Sequence, residues 1–253
     1  MAVLMAVGVF ATLRAPEPAR LSVSRESNAK LWTPRGFFDA VIGPFLVFFR
    51  AHGGKALLML AMIALYRLPD FVMGPMANPL YHDIGLSKDV VGGVRASFGL
   101  IFSLLGITAG GLCAARYGYM KALIAGAVLQ ALSVAAFALL AYSNGKLPIF
   151  SAVMAADSFG TSFAGVALVT YMSSLTSIGY TATQYALLSS TYAYLGKVLK
   201  GFSGSIVESL SASHGLMNAY AIFFVGAGAI GIPALILVFA LARTTPARTS
   251  ENI

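Results

Sequence analysis

Charged residues are scarce in this sequence: they make up 10% of the 253 residues, whereas an ordinary soluble domain has about 25%. Hydrophobic residues make up 58%, and the mean hydropathy is +0.81. A soluble fold of this length needs a charged surface over its core, and too few charges are present to form one. The composition therefore argues against an ordinary globular protein and predicts a chain whose solvent is lipid.

Cysteine is almost absent as well. The one cysteine, Cys113, lies inside an apolar run, which excludes an intramolecular disulfide and a cysteine-rich metal site. No metal-ligand spacing, phosphate-binding loop or dinucleotide fingerprint occurs, so we expect no metal, no cofactor and no enzymatic activity. The net charge is +8, but the basic residues are scattered between apolar runs. That pattern is not typical of a nucleic-acid partner.

Long apolar runs dominate what remains. Each is long enough for a helix of about 20 residues to cross a bilayer, and turn signals separate neighbouring runs. The sequence thus predicts an all-α integral membrane protein with a bundle of six helices, over 56–78, 89–113, 119–142, 148–172, 182–206 and 215–241.

The rest of the chain divides into three further parts. Residues 1–13 are apolar but too short to span, and we expect them to be the end of a transmembrane helix. Residues 14–55 are predicted to be a linker on the cytoplasmic side, residues 56–242 the transmembrane bundle, and residues 243–253 a cytoplasmic tail. The second part of the linker suggests an amphipathic helix, either in the membrane interface or against the bundle ends, from Phe37, Phe38, Val41, Ile42, Phe45, Phe48 and Phe49.

The basic residues predict the orientation. If the linker is cytoplasmic, alternating loops leave Lys88 and Lys146 outside, and eleven basic residues inside. Those eleven are Arg14, Arg20, Arg25, Lys30, Arg35, Arg50, Lys55, Arg116, Lys121, Arg243 and Arg248.

Six charges fall inside the predicted spans: Arg67, Asp70, Arg95, Asp157, Lys197 and Lys200. A charge facing lipid at a helix centre costs at least about 2.5 to 3.5 kcal/mol, so we expect these side chains to face a cavity or each other. The long stems of Arg95 and Lys200 lie near span ends, and snorkelling to the interface is the expectation for both.

Two of these positions suggest specific roles. Arg67 and Asp70 share a helix face, and Pro69 favours a kink, so they either line a pathway or form a structural ion pair. Asp157 is near mid-depth, where a carboxyl group can exchange protons with a cavity. The alternative for Asp157 is a structural contact with Lys197 or another cation.

The fifth span carries polar groups on several turns. Gln184, Tyr192, Tyr194 and Lys197 suggest a wet surface able to meet an anionic or sugar-like solute. A rival pattern, Gly201-Phe-Ser-Gly204, matches the Gly-x-Ser-Gly motif of rhomboid-type intramembrane serine proteases, but the later histidine, His214, is in a short loop. A membrane protein that only mediates interactions is a further alternative.

Several segments carry a resemblance to known families. Gly110-Gly-Leu-Cys-Ala-Ala-Arg-Tyr-Gly-Tyr-Met-Lys121 resembles the Gly-x-x-x-Asp-Arg-x-Gly-Arg-Arg loop of the major facilitator superfamily. It retains Gly111, Arg116, Gly118 and Lys121, with Ala115 in place of the aspartate. Thr181-Ala-Thr-Gln-Tyr-Ala-Leu-Leu-Ser-Ser190 and Tyr66-Arg-Leu-Pro-Asp70 resemble stretches of the AmpG family of muropeptide permeases, as do Val207-Glu-Ser and His214-Gly215.

The AmpG resemblance implies proton-driven import of anhydromuropeptides across the bacterial inner membrane, for cell-wall recycling, or, in distant relatives, transport of acetyl-CoA. The six spans would be helices seven to twelve, so we expect a truncated or half permease, completed by a separate amino-terminal half or a second copy. Asp157 and Asp70 would respond to protons. Substrate contacts would come from Arg67, Gln184, Lys197, Tyr192 and Tyr194, and the conformational loop would contain Gly111, Arg116, Gly118 and Lys121.

Overall fold

The computed structural model describes residues 2–15, 43–176 and 181–244, and all regular structure in these ranges is helical. The chain divides into two units, residues 1–44 and 45–253. The helices are α1 (Ala2–Arg14), α2 (Gly43–His52), α3 (Lys55–Tyr66), α4 (Leu68–Asp83), α5 (Lys88–Val94), α6 (Leu100–Tyr117), α7 (Tyr119–Ala136), α8 (Ala138–Ala141), α9 (Leu147–Leu175), α10 (Thr181–Lys200), α11 (Ser203–His214), α12 (Leu216–Ala229) and α13 (Gly231–Thr244). A π-helical turn, Arg95–Gly99, joins α5 to α6.

The first unit contains α1, which corresponds to the predicted partial span. The Arg14 guanidinium lies 4.7 Å from the centre of the Phe10 ring, one turn back along the same helix. Residues 16–42, which make up much of the predicted linker 14–55 and the first part of its predicted amphipathic helix, lie outside the described residues. In α2, which follows them, Phe48 is buried in the bundle core, whereas Phe45 and Phe49 are exposed.

Five helical stretches of the described chain are long and apolar enough to cross a membrane: Lys55–Asp83, Lys88–Tyr117, Tyr119–Ala141, Leu147–Leu175 and Leu216–Arg243. We call them spans 1, 2, 3, 4 and 6. They coincide with five of the six predicted spans, which confirms the all-α membrane fold. The remaining predicted span, 182–206, lies on α10 and the start of α11, which are less apolar and are separated by a turn at Gly201 and Phe202. We call α10 and α11 together span 5.

Span 1 is interrupted where the sequence predicts a kink. Helix α3 ends at Tyr66, Arg67 takes a non-helical conformation with φ −96° and ψ 3°, and α4 begins at Leu68. Pro69 has no N–H to donate to the carbonyl four residues earlier, and its ring crowds that carbonyl, so the helix cannot continue smoothly through it. The interruption places a charged residue, Arg67, at the break.

Spans 2 and 4 approach each other closely at two glycines. A Cβ atom on Gly106 would clash with the carbonyl oxygen of Phe159, and one on Gly110 would lie 3.0 Å from the carbonyl oxygen of Phe163. Residues four apart lie on one helix face, so Gly106 and Gly110 together form a flat strip against which α9 packs. This contact fixes the position of α9, and with it Asp157, relative to span 2.

Buried apolar side chains form two clusters. The first contains Tyr81, Phe137, Phe150 and Phe224, near the bundle end that carries residues 84–87 and 142–146. The second contains Tyr66, Leu123, Leu168 and Tyr171, towards the end that carries Gly118. Spans 1, 3, 4 and 6 contribute to both clusters, so each of these helices passes from one apolar cluster to the other.

Candidate functional site

Polar and charged side chains occupy the level between the two apolar clusters. In span 1 Arg67 and Asp70 separate Tyr66 of the second cluster from Val72 of the first. Gln130 and Ser133 hold the same place in span 3, between Ala127 and Val134, and Asp157 does so in span 4, between Met154 and Ala164. We call these five residues, Arg67, Asp70, Gln130, Ser133 and Asp157, the polar layer.

Arg67 and Asp70 form an ion pair within span 1. The Arg67 Nη2 atom donates a hydrogen bond to Asp70 Oδ2 at 2.5 Å, and the two side chains are 22% and 24% exposed. The pair arises locally, because residues three apart lie on the same face of the helix. Mutual neutralisation lowers the cost of placing both charges at this depth.

The Arg67 side chain also reaches span 4. A Cβ atom on Gly165 would lie 3.2 Å from Arg67 Nη1, so the absence of a side chain at Gly165 makes room for the guanidinium. The Nε atom of Arg67 is buried and has no hydrogen-bond partner among the described residues. A largely buried guanidinium with an unsatisfied donor is suited to bind an additional acceptor, such as a solute oxygen or water.

Asp157 lies between spans 3 and 4. Ser133 Oγ is 3.5 Å from Asp157 Oδ1 and 3.0 Å from the Gln130 carbonyl oxygen. The carboxylate is in electrostatic range of Asp70 and Arg95, whereas no ion pair joins Asp157 to Lys197 within the described residues. The alternative in which Lys197 holds Asp157 therefore has no support in this conformation.

Gln130 was not singled out from the sequence. It is 1% exposed, and neither Nε2 nor Oε1 has a hydrogen-bond partner in the described part of the chain. Leaving a buried amide unpaired costs about 1 to 3 kcal/mol of stability. Gln130 lies at the level of Asp157 and Arg67, so the polar layer extends to span 3. The sequence feature that could have identified Gln130 is a single amide side chain midway along an otherwise apolar span.

Snorkelling is the prediction for Arg95, and in the structure its exposed side chain contacts span 1. It opens the π-helical turn of span 2, its Nη2 donates to Asn78 Oδ1 at 3.3 Å, and its guanidinium lies 5.5 Å from the centre of the Tyr81 ring. The side chain is thus held against span 1. The spacing of Asn78 and Tyr81 on one face of α4 was visible in the sequence, but their partner was not.

The predicted substrate residues of α10 do not share one environment. Tyr194 is 74% exposed and Lys197 is also exposed, whereas Gln184 is 1% exposed. Tyr192 packs on Phe71 of span 1 with ring centres 6.3 Å apart. Residue Gly196 lies against the same ring, since a Cβ atom there would be 2.5 Å from the Phe71 ring. The structure therefore brings Tyr192 near span 1 and leaves Tyr194 and Lys197 on the surface.

The predicted conformational loop is a single-residue connection between spans 2 and 3. Gly118 has φ +87° and ψ 156°, a conformation that residues with a side chain rarely adopt, and it both ends α6 and begins α7. Arg116 and Lys121 are exposed on either side, and Gly111 lies about two turns before Gly118, within α6. The two basic side chains thus mark this end of the bundle.

Ser203, the serine of the protease-like pattern, is fully buried and donates to the carbonyl oxygen of Val72 at 2.8 Å. His214 instead contacts Ser213, with 2.7 Å between Ser213 Oγ and His214 Nδ1. A catalytic serine needs a histidine base in hydrogen-bond reach, and the described structure gives Ser203 a structural bond between spans 5 and 1 instead. Within the described ranges, no group of three or more His, Cys, Asp or Glu could hold a metal.

Long apolar helices in one bundle, with charged side chains gathered between two apolar clusters, define a polytopic helical membrane domain. No family model matches the chain. Individual proteins do, and their names agree with that class.

An AmpG-type transporter of Rickettsia felis is 31% identical over 205 residues, which are 80% of this chain and 46% of that protein. The anhydromuropeptide permease of Escherichia coli K12 is 30% identical over 255 aligned positions, covering 100% of this chain and 48% of the permease. An uncharacterised protein of Haemophilus influenzae is 28% identical over 217 residues.

These similarities confirm the family resemblance drawn from the sequence: the chain is AmpG-like over most of its length. The chain spans about half the length of the curated relatives it matches. Both named relatives are transport proteins, and neither name describes an enzyme.

Proposed function

We propose that this chain forms the carboxyl-terminal half of a proton-coupled permease that imports anhydromuropeptides across the bacterial inner membrane. The observation that carries the proposal is the 30% identity to an anhydromuropeptide permease along the whole chain. The residues of the polar layer agree with it, because charges at mid-depth in transporters mark solute and ion pathways.

The proposed mechanism is alternating access. A solute would bind near mid-membrane between this bundle and a second bundle, which rock against each other to open the site to one side at a time. Arg67 would contact solute oxygens, with Lys197, Gln184, Tyr192 and Tyr194 as further candidates. Movement would be transmitted through the loop that contains Gly111, Arg116, Gly118 and Lys121.

Asp157 and Asp70 are the proposed proton-responsive groups. Asp70 is paired with Arg67, whereas Asp157 contacts the hydroxyl of Ser133 and no cation directly among the described residues. We therefore place the coupling role first on Asp157, the carboxylate of the two without a cation in direct contact. Protonation of Asp157 on the side of higher proton concentration and its release on the other side would then couple transport to the gradient.

The two-bundle mechanism is tested by uptake of labelled anhydromuropeptide into cells that lack their own permease. The chain is expressed alone and beside a matching amino-terminal half, with membrane insertion of both verified by immunoblot. We expect uptake with both halves. Uptake by the chain alone would indicate that a second copy of the chain takes the place of the amino-terminal half. No uptake in either case would overturn the proposal.

The coupling role of Asp157 is tested in the same cells by Asp157→Asn. Wild-type uptake should rise as the external pH falls, because protons drive import. The variant should lose this pH dependence and at least about tenfold in initial rate. Glu208→Gln, an exposed carboxylate on α11, is the matched control and should behave like wild type. An Asp157→Asn protein that keeps the wild-type pH profile would remove Asp157 from the mechanism.

A further inference from the structure

A cavity of about 380 Å³ lies between the end of span 1 and the start of span 2. Its described lining comes from these two spans and the short segment that joins them. The lining residues are Asn78, Tyr81, His82, Leu86, Lys88, Val91, Gly92 and Arg95.

The cavity has an apolar base and polar walls. Tyr81 and Val91 are 3% and 9% exposed and form the base. Asn78, His82, Lys88 and Arg95 are exposed and stand around it. Gly92 contributes open space, because a Cβ atom there would meet no heavy atom within 4 Å.

The charge of the lining has one sign. Lys88 and Arg95 are cationic and lie seven residues apart, hence on one face of the helix, and none of the eight described lining residues is acidic. The neighbouring carboxylate of Asp83 already accepts a hydrogen bond from the Tyr220 hydroxyl at 2.7 Å and lies 3.3 Å from His82 Nδ1.

Arg95 is held in place with donors to spare. Its Nη2 donates to Asn78, and the Tyr81 ring supports the guanidinium face. A guanidinium carries further N–H groups in a planar fork that matches the two oxygens of a carboxylate. The Asn78 amide and the Tyr81 ring therefore orient the Arg95 guanidinium, and Lys88 adds a second cation to the lining. The guanidinium still has N–H groups that can bind a ligand.

We propose that this cavity binds the carboxylate group of a small organic acid, and that in the working permease it receives the acidic end of the solute before the solute moves to the polar layer. The second clause rests on the proposed function, whereas the first requires only this chain. Arg95 supplies the bidentate contact, Lys88 adds attraction at the rim, and the apolar lining at Leu86 and Val91 accommodates the apolar part of the acid. The predicted topology places this end of the bundle outside, where an imported solute arrives.

Binding is measured by calorimetry on the purified chain in phosphatidylcholine nanodiscs. The probes are an anhydromuropeptide with free carboxylates, the same compound with its carboxylates methylated, and inorganic phosphate. We expect saturable binding of the free acid that weakens with added salt and at least about tenfold weaker binding of the ester, because a charge-assisted bidentate contact is lost. Equal affinity for acid and ester, binding of phosphate alone, or no binding of any probe would overturn the proposal.

Charge and space are varied separately. Arg95→Gln should weaken binding of the acid at least about tenfold and Lys88→Gln about threefold, whereas Lys146→Gln, at the same bundle end but outside the lining, should be neutral. Gly92→Phe should block the cavity. Gly93→Phe is the matched control, because Gly93 is an exposed neighbour in the same helix with equally open surroundings and does not line the cavity.

Arg95→Lys guards against misfolding, since it retains the charge and loses the fork. It should bind with an affinity between those of wild type and Arg95→Gln, at an unchanged melting temperature. Failure of uptake together with carboxylate binding at this cavity would sink the proposed function alone. Uptake by the two halves that is indifferent to Arg95→Gln, with equal acid affinity of wild type and variant, would sink the cavity proposal alone.

Discussion

At the scale of single residues, the ion pair between Arg67 and Asp70 shows how the chain tolerates charge inside a membrane. Both side chains are about three-quarters buried, with 22% and 24% of their surface exposed. They neutralise each other at a helix break. Removing one partner leaves the other charge unpaired in a poorly solvated place. The pair is thus a structural requirement even where one member also meets solute.

This pair gives a stability prediction. Arg67→Gln and Asp70→Asn should each lower the free energy of unfolding by roughly 2 kcal/mol, and the double variant should be destabilised by less than the sum, with a coupling of roughly 1 to 2 kcal/mol. The measurement is unfolding of the purified chain by sodium dodecyl sulfate titration, followed by circular dichroism. Strictly additive effects would contradict a paired arrangement.

The position of Arg95 depends on contacts with another span as well as on its place in its own helix. Its position near a span end favours snorkelling, yet its guanidinium lies on Tyr81 and bonds Asn78 of another span. The same side chain is in electrostatic range of Asp157. The contacts that position Arg95 thus come from another span.

At the scale of elements, close approach of helices depends on small residues at two neighbouring turns. Gly106 and Gly110 bring α6 into contact with the α9 backbone at Phe159 and Phe163. In lipid, where apolar side chains gain little by leaving the solvent, such backbone contact supplies much of the attraction between helices. The pattern of two small residues four apart thus holds span 2 against span 4.

We expect Gly106→Ala to destabilise the bundle, because its added methyl group would clash with the Phe159 carbonyl oxygen. The expected loss is about 1 to 3 kcal/mol, typical of overpacking. Gly226→Ala, also inside a helix but with nothing within 4 Å of the added carbon, is the control and should be neutral or slightly stabilising. Melting curves in detergent compare the two variants, and equal melting temperatures would argue against the close contact.

Interrupted helices are the second feature at this scale. Span 1 breaks at Arg67, span 2 contains a π-helical turn that begins at Arg95, and span 5 turns at Gly201 and Phe202. Two of these irregularities carry an arginine. Breaks in transmembrane helices free backbone groups for binding, and π turns are frequent at functional sites. The irregular points of spans 1 and 2 are thus the places where solute contact is proposed.

At the scale of the whole molecule, the polar layer between two apolar clusters is what a half-transporter would contribute to a binding site at mid-membrane. The orientation of the bundle in the membrane is also a property of the whole molecule, and the distribution of basic residues among the loops predicts it. Gly118 with Arg116 and Lys121 would be cytoplasmic, whereas Lys88 and Lys146 would be outside. The cavity at Arg95 would then open outwards.

Orientation is tested by cysteine labelling, which the single native cysteine makes straightforward. In a Cys113→Ser background, Lys146→Cys should react with a membrane-impermeant maleimide when the outer membrane has been permeabilised and the inner membrane is intact. Lys121→Cys should react only after the inner membrane is also disrupted. Both positions are exposed at loop ends of the bundle, so reactivity reports sidedness. The reverse pattern would invert the topology and place the cavity on the cytoplasmic side.

The sequence was enough to predict the class of fold, five of the spans, the kink near Pro69 and the charges inside the spans, because these depend on local composition and on spacing along one helix. It also pointed to the family through short runs of residues. Contacts within one helix, such as Arg67 with Asp70, follow from the helical repeat and were foreseeable.

Only the tertiary structure decided which residues meet across helices. It placed Arg95 on Asn78 and Tyr81, Asp157 beside Ser133, and Gly165 against the Arg67 guanidinium. These contacts depend on the rotation of each helix about its axis and on its depth relative to its neighbours. Both are set by packing of whole helix faces, a property that no short stretch of sequence contains.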